Sequence, residues 1–429
     1  MRKIILIVLS GGVAAAVQAV PRITDVLTDT ALLQRGSLTV TYALADEPAI
    51  VTVDVQTNCL DGGEVKWTSI DGALLRNVVG DVNRKILPTA GSERRTLTWK
   101  ARKVLPNEIL NIRAVLTAWA TNAPPLYMVI DLRPETREER LAALRFYPCK
   151  EQLPYEVTDR ICKTDILVMR KVSAAYHEIG EGCLESDDHN TWGRTPGGPD
   201  CPFRVELTKD FYLGVFELTQ YQVVKMTGWG NPDTKFADKP DADYRAVGCV
   251  KYHDMRCRDY VAVPQGCLKT DDIQCYLERM VDRFGIRFDL PTSAQWEFAC
   301  RAGTTTAFNN GRTPWNNQST LDPYLDKIAW YVFNSNDETH EVGLKEPNAW
   351  GFYDMHGNVK ELCLDCNENA TGDPRLDPIG ANTGDVRTVR GGSYDQHMDS
   401  CTSYRHVGLD KYDYQYGGGL RLWAPAEIP

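Results

Sequence analysis

The sequence predicts a protein of two domains, an all-β domain followed by a larger, loop-rich domain with few helices. Its 429 residues allow two or three domains at roughly 150 residues each. Apolar and polar residues alternate between residues 20 and 133, which is typical of short antiparallel strands. From about residue 166 onward the pattern is irregular and rich in Gly, Trp and Tyr, and helical signals are few.

Composition excludes several classes of protein. Apolar residues make up 43% of the chain, which is too many for a disordered protein. The net charge of 48 − 58 = −10 argues against a nucleic-acid-binding protein, because an acidic surface repels phosphates. The 13 cysteines exceed what a reducing cytosol usually holds, and because their number is odd, at least one thiol stays unpaired in an oxidised chain.

Residues 1–19 have the pattern of a cleavable secretory signal peptide. Arg2 and Lys3 precede an apolar run, 4–17, that is too short to span a bilayer well. The small residues before the exit predict cleavage after Ala19. We therefore expect a secreted or periplasmic protein that does not span the membrane; a buried N-terminal helix is the alternative.

Residues 20–133 are predicted to form a β-sandwich of immunoglobulin or fibronectin-III type. Turns rich in Gly, Pro or Asp separate alternating segments at 38–42, 50–55, 95–99 and 112–119. No catalytic constellation is evident in this stretch, so we expect a spacer or docking module.

Residues 134–165 are predicted to link the two domains. The segment 134–141 holds opposite charges close in sequence, which favours a short surface helix. Cys149 and Cys162 could form a disulfide here, although spacing does not reveal connectivity.

The second domain, residues 166–429, contains two clear helical segments. Residues 218–226 combine a cap with apolar spacing, and residues 292–301 follow Pro291. A domain with so few helices needs other support, and disulfides or bound cations are the usual means.

The remaining cysteines offer several disulfides. Cys363-x2-Cys366 lacks a second pair at zinc-finger spacing, so disulfides are expected there rather than zinc, either between the two or to other cysteines. Further bridges could form between Cys183 and Cys201 and within the cluster Cys249, Cys257, Cys267 and Cys275.

Four stretches of the second domain carry a family resemblance. They are PFRVELTKDFYLGVFELTQ (202–220), LPTSAQWEFACRAG (290–303), PNAWGFYDMHGNVKE (347–361), and VRGGSY (389–394) with Gly419-Leu420-Arg421. In this order and spacing they resemble the formylglycine-generating enzyme (sulfatase-modifying factor) family over about residues 170–425. The resemblance implies a compact, loop-rich α+β fold related to C-type lectins, but fold alone does not determine function.

The family's oxidases use two cysteines, spaced Cys-x4-Cys after Arg-Gly-Gly-Ser, to bind Cu(I) and convert a sulfatase cysteine to formylglycine with oxygen. Here the second position is Cys401, whereas the first is Gln396. A neutral amide is a poor ligand for Cu(I), so the resemblance implies an incomplete oxidase site.

Four further positions bear on that site. Ser393, which lies near the oxygen pocket in the family, is kept, and Lys360 replaces a tryptophan of that pocket. His397 and Met398 are alternative soft partners for Cys401, although surface or core packing is the simpler role for both.

The resemblance also implies one structural calcium ion. Its ligands would be the side chains of Asp354 and Glu361 and the carbonyls of Gly357 and Val359, a set of hard oxygen donors suited to Ca²⁺. The alternative is a loop that hydrogen bonds alone hold together.

The segment 393–416 is predicted to be either a recognition surface or an acidic, aromatic loop that is simply solvated. It combines aromatic and short polar residues, as antibody paratopes do. Lectin-like relatives of the family bind ligands through this segment. The predicted ligand-binding residues are Tyr394, Gln396, His397, Tyr404 and Arg405.

Two functions follow from these observations. The first is a divergent, non-oxidase member that binds a small ligand, a glycan or another exported protein. The second is a copper-dependent oxidase acting on a sulfatase, with Cys401 and Ser393 as catalytic residues. Calcium is expected in both cases, and copper only in the second.

Overall fold

The structure is a computed structural model. It describes residues 7–10, 20–29, 37–61, 64–100, 111–179, 203–256, 275–314, 320–367, 375–379, 384–413 and 417–428. The described chain is mostly β and rich in loops, with few helices, which confirms that part of the predicted fold.

Contacts divide the chain into two compact units. The first comprises Met1–Val129, Leu144–Val157 and Ala426–Pro429; the second comprises Ile130–Ala143 and Thr158–Pro425. Segment Leu144–Val157 falls within the stretch predicted as a linker, and it packs as part of the first unit.

Two sheets form the first unit, with strand orders β1-β9-β4-β5 (β7 pairs with β4) and β2-β3-β8-β6. The strands of these sheets are β1 (Ile7–Ser10), β2 (Arg22–Asp29), β3 (Ser37–Ala45), β4 (Ala49–Asp61), β5 (Glu64–Ser69), β6 (Val78–Gly80), β7 (Lys85–Ile86), β8 (Arg95–Lys100) and β9 (Asn111–Ala120). The first unit also contains the start of β10 (Tyr127–Asp131) and β11 (Arg145–Tyr147), which pair with each other outside these two sheets.

One core joins these sheets, because alternate residues of each strand point inward. On β3 the buried residues are Leu38, Val40 and Tyr42, and on β4 they include Val51 and Val53. Burying each such aliphatic side chain contributes about 1.5–3 kcal/mol. The period-two pattern thus fixes which face is buried, while the immunoglobulin or fibronectin-III type of the domain stays a prediction.

Strand β1 lies inside the predicted signal peptide. It pairs in parallel with β9, with Ile7 opposite Val115 and Ser10 opposite Ala118. Residues 7–10 therefore form a strand and not part of the alternative N-terminal helix. Cleavage after Ala19 would remove this strand, and that cleavage stays a prediction.

The second unit combines short strands and helices. Its helices are α1 (Arg137–Ala143), α2 (Gln220–Thr227), α3 (Tyr252–Met255), α4 (Tyr276–Phe284) and α5 (Ser293–Arg301). Its strands are β12 (Ile166–Val172), β13 (Tyr176–Ile179), β14 (Phe203–Glu206), β15 (Phe211–Gly214), β16 (Ala329–Trp330), β17 (His356–Gly357), β18 (Lys360–Cys366), β19 (Arg375–Leu376), β20 (Val386–Arg390), β21 (His406–Asp410), β22 (Gly418–Gly419) and β23 (Trp423–Pro425).

Both helices predicted in the second domain are confirmed. Thr219 caps α2 and Thr292 caps α5, each in a reciprocal capping box with a glutamine three residues later. The charged segment after residue 134 also forms the expected short helix, α1, but Arg140 on it is buried over the Phe284 ring.

A four-stranded sheet of order β21-β20-β18-β22 brings the third and fourth sequence motifs together. Strand β18 runs antiparallel to β20, with Glu361 opposite Arg390, and parallel to β22, with Lys360 opposite Gly418. Residues nearly sixty positions apart in sequence therefore meet at the start of β18.

Two of the expected disulfides are not formed. Cys149 and Cys363 are free thiols, so neither the Cys149–Cys162 nor the Cys363–Cys366 bridge exists. The second pair lies on one strand, β18, where positions i and i+3 are about 10 Å apart, beyond the span of a disulfide. The first pair shows that sequence spacing does not set spatial distance. Cys183, Cys201, Cys257 and Cys267 lie outside the described residues.

In the part of the chain that the structure describes, no helix has the length and apolar character needed to cross a lipid bilayer.

Candidate functional site

The candidate site is the loop 391–405, which follows β20. Gly391 and Gly392 turn the chain with φ of 87° and 70°, a region that favours glycine. A Cβ on Gly392 would lie 2.6 Å from Cys401 Sγ, so the thiol packs directly against this glycine. The glycines of the Arg-Gly-Gly-Ser motif thus permit both the turn and the close approach of Cys401.

Arg390, the last residue of β20, holds the far end of this loop. Its Nη1 donates to the carbonyls of Ser403 and Tyr404, at 3.4 and 2.7 Å. Its Nη2 lies 3.0 Å from Glu297 Oε2 on α5. The loop is therefore closed at both ends by one buried, ion-paired arginine.

Cys401 is a fully buried free thiol. Burial, with smaller contributions from the carboxylates of Asp399 and Asp395, raises its pKa to about 12. The thiol is therefore protonated at neutral pH, unlike a cysteine prepared as a metal ligand or nucleophile.

His356 fixes the main chain at Cys401. Its Nδ1 donates to the Cys401 carbonyl at 2.7 Å, because Nε2 accepts the Asn309 N–H at 3.1 Å. Burial lowers the pKa of His356 to about 4, so the ring is neutral. His356 lies inside the third sequence motif, whereas the other six histidines lie outside all four, so motif membership was the available signal.

Polar groups occupy the position of the predicted oxygen pocket. The Ser393 hydroxyl is buried and donates to Asp395 Oδ1 at 2.5 Å. Burial lowers the pKa of the Lys360 ammonium, and the Asp395 carboxylate opposes that shift. Lys360 also acts on Cys401, because its positive charge partly offsets the rise in the pKa of that thiol.

The predicted ligand-binding residues separate into two groups. Gln396 is half-buried, whereas His397 and Arg405 are exposed. The Gln396 carbonyl accepts the Val332 N–H at 3.0 Å, and the His397 ring lies edge-on to Phe333 at 5.5 Å.

The two tyrosines of the predicted set lie in the interior. Tyr394 is fully buried, its hydroxyl accepts from Lys235 Nζ at 2.9 Å, and Phe236 packs edge-on to its ring. Tyr404 belongs to the core cluster around Cys401. Their side chains support the loop rather than line its surface.

The loop 354–361 carries the predicted calcium ligands, and two residues join them that sequence reasoning missed. Glu217 accepts the Val359 N–H at 3.0 Å and Asn358 Nδ2 at 2.6 Å. Arg421 forms an ion pair with Glu361. Both missed residues lie inside the sequence motifs, the first and the fourth, so motif membership was the available signal.

The calcium ligands do not fit Ca²⁺ as a set. Both Glu361 oxygens already accept hydrogen bonds from Arg421, and Oε2 also accepts from Trp296 Nε1 at 2.7 Å. Of the two predicted carboxylates only Asp354 has a free oxygen, Oδ1. Among the described residues, no group of three or more His, Cys, Asp or Glu side chains is arranged to hold a metal ion.

Comparison with family models gives a match over more than half of the chain. The family model for the sulfatase-modifying factor enzyme 1-like domain matches residues 179–424. The formylglycine-generating enzyme of Thermomonospora curvata is 36% identical over 129 residues, covering 27% of this chain and 41% of that protein. Chaperone protein LppX of Paenibacillus barcinonensis is 26% identical over 185 residues, covering 36% of this chain and 61% of that protein. The chain thus spans less than two thirds of either relative.

Two solved structures are also similar to this chain. Treponema denticola variable protein 1 is 24% identical with a TM-score of 0.45, covering 61% of this chain and 95% of that chain. PvdO from Pseudomonas aeruginosa is 21% identical with a TM-score of 0.45, covering 60% and 94%.

Proposed function

The chain belongs to the sulfatase-modifying factor family, and from that premise we propose that it is a divergent, non-oxidase member. Its loop 391–405 would bind another exported polypeptide. The observation that carries this proposal is the single thiol at the former oxidase position, because Gln396 stands where the family's oxidases have their first cysteine.

The chemistry of the remaining donors supports the proposal. Cu(I) prefers two soft thiolates, and here burial raises the pKa of the Cys401 thiol to about 12. Gln396 directs its main-chain carbonyl to Val332 and offers only an amide side chain. The residues present therefore do not fit copper, and no step of the proposed function uses it.

The surface of the loop offers contacts of the kind that proteins use to bind each other. Val332 is 38% exposed and lies beside Gln396, and His397 and Arg405 are exposed. An exposed apolar side chain beside a loop that carries aromatic, amide and cationic groups is typical of protein–protein contacts. The name of one relative, a chaperone protein, makes a polypeptide the first class of partner to test.

Photo-crosslinking tests the binding proposal. A photoreactive amino acid at His397 should crosslink to a partner protein in producing cells, because this side chain is exposed on the loop. The matched control is the same amino acid at Leu87, which is 60% exposed and lies in the first unit. Equal crosslinking at both positions would contradict a binding role for the loop.

The second candidate is the oxidase, which the names of several relatives favour. Purified protein would be mixed with Cu(I), oxygen and a Cys-x-Pro-x-Arg peptide, and the peptide mass followed. We expect no thiol-to-aldehyde conversion and weak Cu(I) binding, whereas Gln396→Cys should bind Cu(I) more tightly by supplying the second sulfur. Conversion by the unmodified protein would overturn the non-oxidase proposal.

Export completes the proposal. We expect removal of residues 1–19, so that the mature protein begins at Val20. N-terminal sequencing of protein recovered from the periplasm or medium measures this directly. A chain there that still begins at Met1 would contradict the predicted cleavage.

A further inference from the structure

We propose that the guanidinium of Arg421 takes the place of a structural cation beneath the loop 354–361, and that this loop folds without calcium. The proposal rests on the ion pair through which Arg421 already neutralises the buried Glu361 carboxylate. It is independent of the partner that the loop 391–405 binds.

Arg421 is fully buried, and each of its nitrogens donates hydrogen bonds. Nε and Nη2 contact the Glu361 carboxylate at 2.7–3.1 Å. Nη1 donates to the carbonyls of Gly214 and Val215, and Nη2 to that of Tyr353. Carboxylate and carbonyl oxygens converging on one buried positive charge are the type of ligand set that a divalent ion would otherwise collect.

Glu361 has no oxygen left for a second cation. Its Oε1 receives two hydrogen bonds from Arg421, and Oε2 receives one from Arg421 and one from Trp296. A Ca²⁺ ion at bonding distance from either oxygen would lie beside the guanidinium, and like charges repel strongly in a buried site.

Asp354 alone cannot provide a calcium site. Its Oδ2 accepts the Gly343 N–H at 2.6 Å, which leaves Oδ1 as the free oxygen. Calcium takes six to eight oxygen ligands, so one free carboxylate oxygen and two main-chain carbonyls are too few.

The arrangement matters because this loop supports the candidate binding loop. The Asn358 carbonyl accepts the Tyr394 N–H at 2.9 Å, and the Gly357 N–H donates to the Gly391 carbonyl at 2.7 Å. If the loop folds without calcium, these contacts form at any calcium concentration.

Calcium counting on the full chain tests the proposal. Wild-type protein and Asp354→Gly would be dialysed against Ca²⁺, and the bound metal measured by mass spectrometry. The φ of Asp354 is 54°, a conformation that Gly adopts without strain, and Gly supplies no side-chain oxygen to a metal ion. We expect the same number of calcium ions per chain in both, whatever binds elsewhere. Loss of one ion in Asp354→Gly would overturn the proposal.

Glu361→Gln and thermal unfolding provide a second comparison. We expect this variant to melt at a lower temperature, because the pair with Arg421 is lost, yet to keep the wild-type calcium count. We also expect EDTA to shift the melting temperatures of wild type and Asp354→Gly equally. Loss of one calcium ion in Glu361→Gln, or a larger EDTA shift in wild type than in Asp354→Gly, would overturn the proposal.

Discussion

Gly357 turns the chain with a φ of 75°, and a Cβ there would overlap the main-chain carbonyl of Trp330. From the sequence, Gly357 was identified only as part of a motif and as a residue whose main-chain carbonyl could bind calcium. The structure gives it a steric role, because β16 and β17 pair at this point, with Trp330 opposite Gly357.

Alanine at Gly357 should therefore prevent or strongly weaken folding. Overlap with backbone adds to the cost of the positive φ, and together they should exceed about 3 kcal/mol of unfolding free energy. Gly311→Ala is the matched control, because Gly311 has a φ of 77° but a Cβ added there would have no heavy atom within 4 Å. It should lose only about 1–2 kcal/mol from strain. Equal losses in urea unfolding would refute the steric role.

At this scale the sequence revealed the chemistry of single positions but not their partners. The family resemblance, together with the spacing to Cys401, places Gln396 at the first cysteine position. In contrast, the pairing of Glu361 with Arg421 joins residues 60 positions apart, and only the fold shows that it occupies the predicted calcium ligand. The type of a residue predicts that it can be a metal ligand. Whether its oxygens are available to a metal depends on contacts that sequence spacing does not determine.

Among the elements, the helices with strong caps were the predictable ones. α2 and α5 both begin with Thr and a capping glutamine, and both were predicted. α4 was missed, because Cys275 at its N-terminus makes no side-chain cap hydrogen bond. Its buried residues Leu277, Met280 and Phe284 show that packing stabilises it, together with the left-handed Gly285 that caps its C-terminus.

The cap of α5 is a testable source of stability. Thr292→Ala should lower the unfolding free energy by about 1 kcal/mol, because the Gln295 N–H loses its side-chain acceptor. Thr292→Ser keeps the hydroxyl and should lose much less. Chemical denaturation of the three proteins measures the difference, and an unchanged Thr292→Ala would show that the cap contributes nothing.

For the whole molecule, buried neutral histidines should make stability depend on pH. Burial lowers the pKa of His356 to about 4, whereas an unfolded histidine has a pKa of about 6.5. Below pH 6.5 this histidine binds a proton in the unfolded chain, whereas in the native chain it does so only near pH 4. The stabilisation from His356 is therefore complete above pH 6.5 and is lost as the pH falls toward 4.

Comparison with His356→Gln isolates this contribution. The stability advantage of wild type over the variant should shrink by about 2.5 kcal/mol between pH 7 and pH 4.5. Other buried groups, such as Asp354 with its raised pKa, titrate in both proteins and cancel in the difference. Denaturant unfolding at several pH values measures it; a constant difference would mean that His356 titrates alike in both states.

The division into two units was only partly visible in sequence. Alternation ends near residue 133, as the composition indicated, but Leu144–Val157 packs with the first unit. The contacts that place it there include a hydrogen bond from the Phe146 N–H to the Asn83 carbonyl and the close approach of Gly72 to Glu151. Such contacts span about 60–80 positions, and no local pattern encodes them.

The interrupted first unit has a consequence for the order of events during synthesis. Residues 1–129 leave the ribosome before the segment that packs against them, and the Ile428 N–H that bonds the Thr121 carbonyl follows only after the second unit. The first unit therefore stays incomplete while nearly the whole second unit is synthesised. Domains usually fold as they emerge, N-terminal first. Here the earlier half reaches its final form no sooner than the later one.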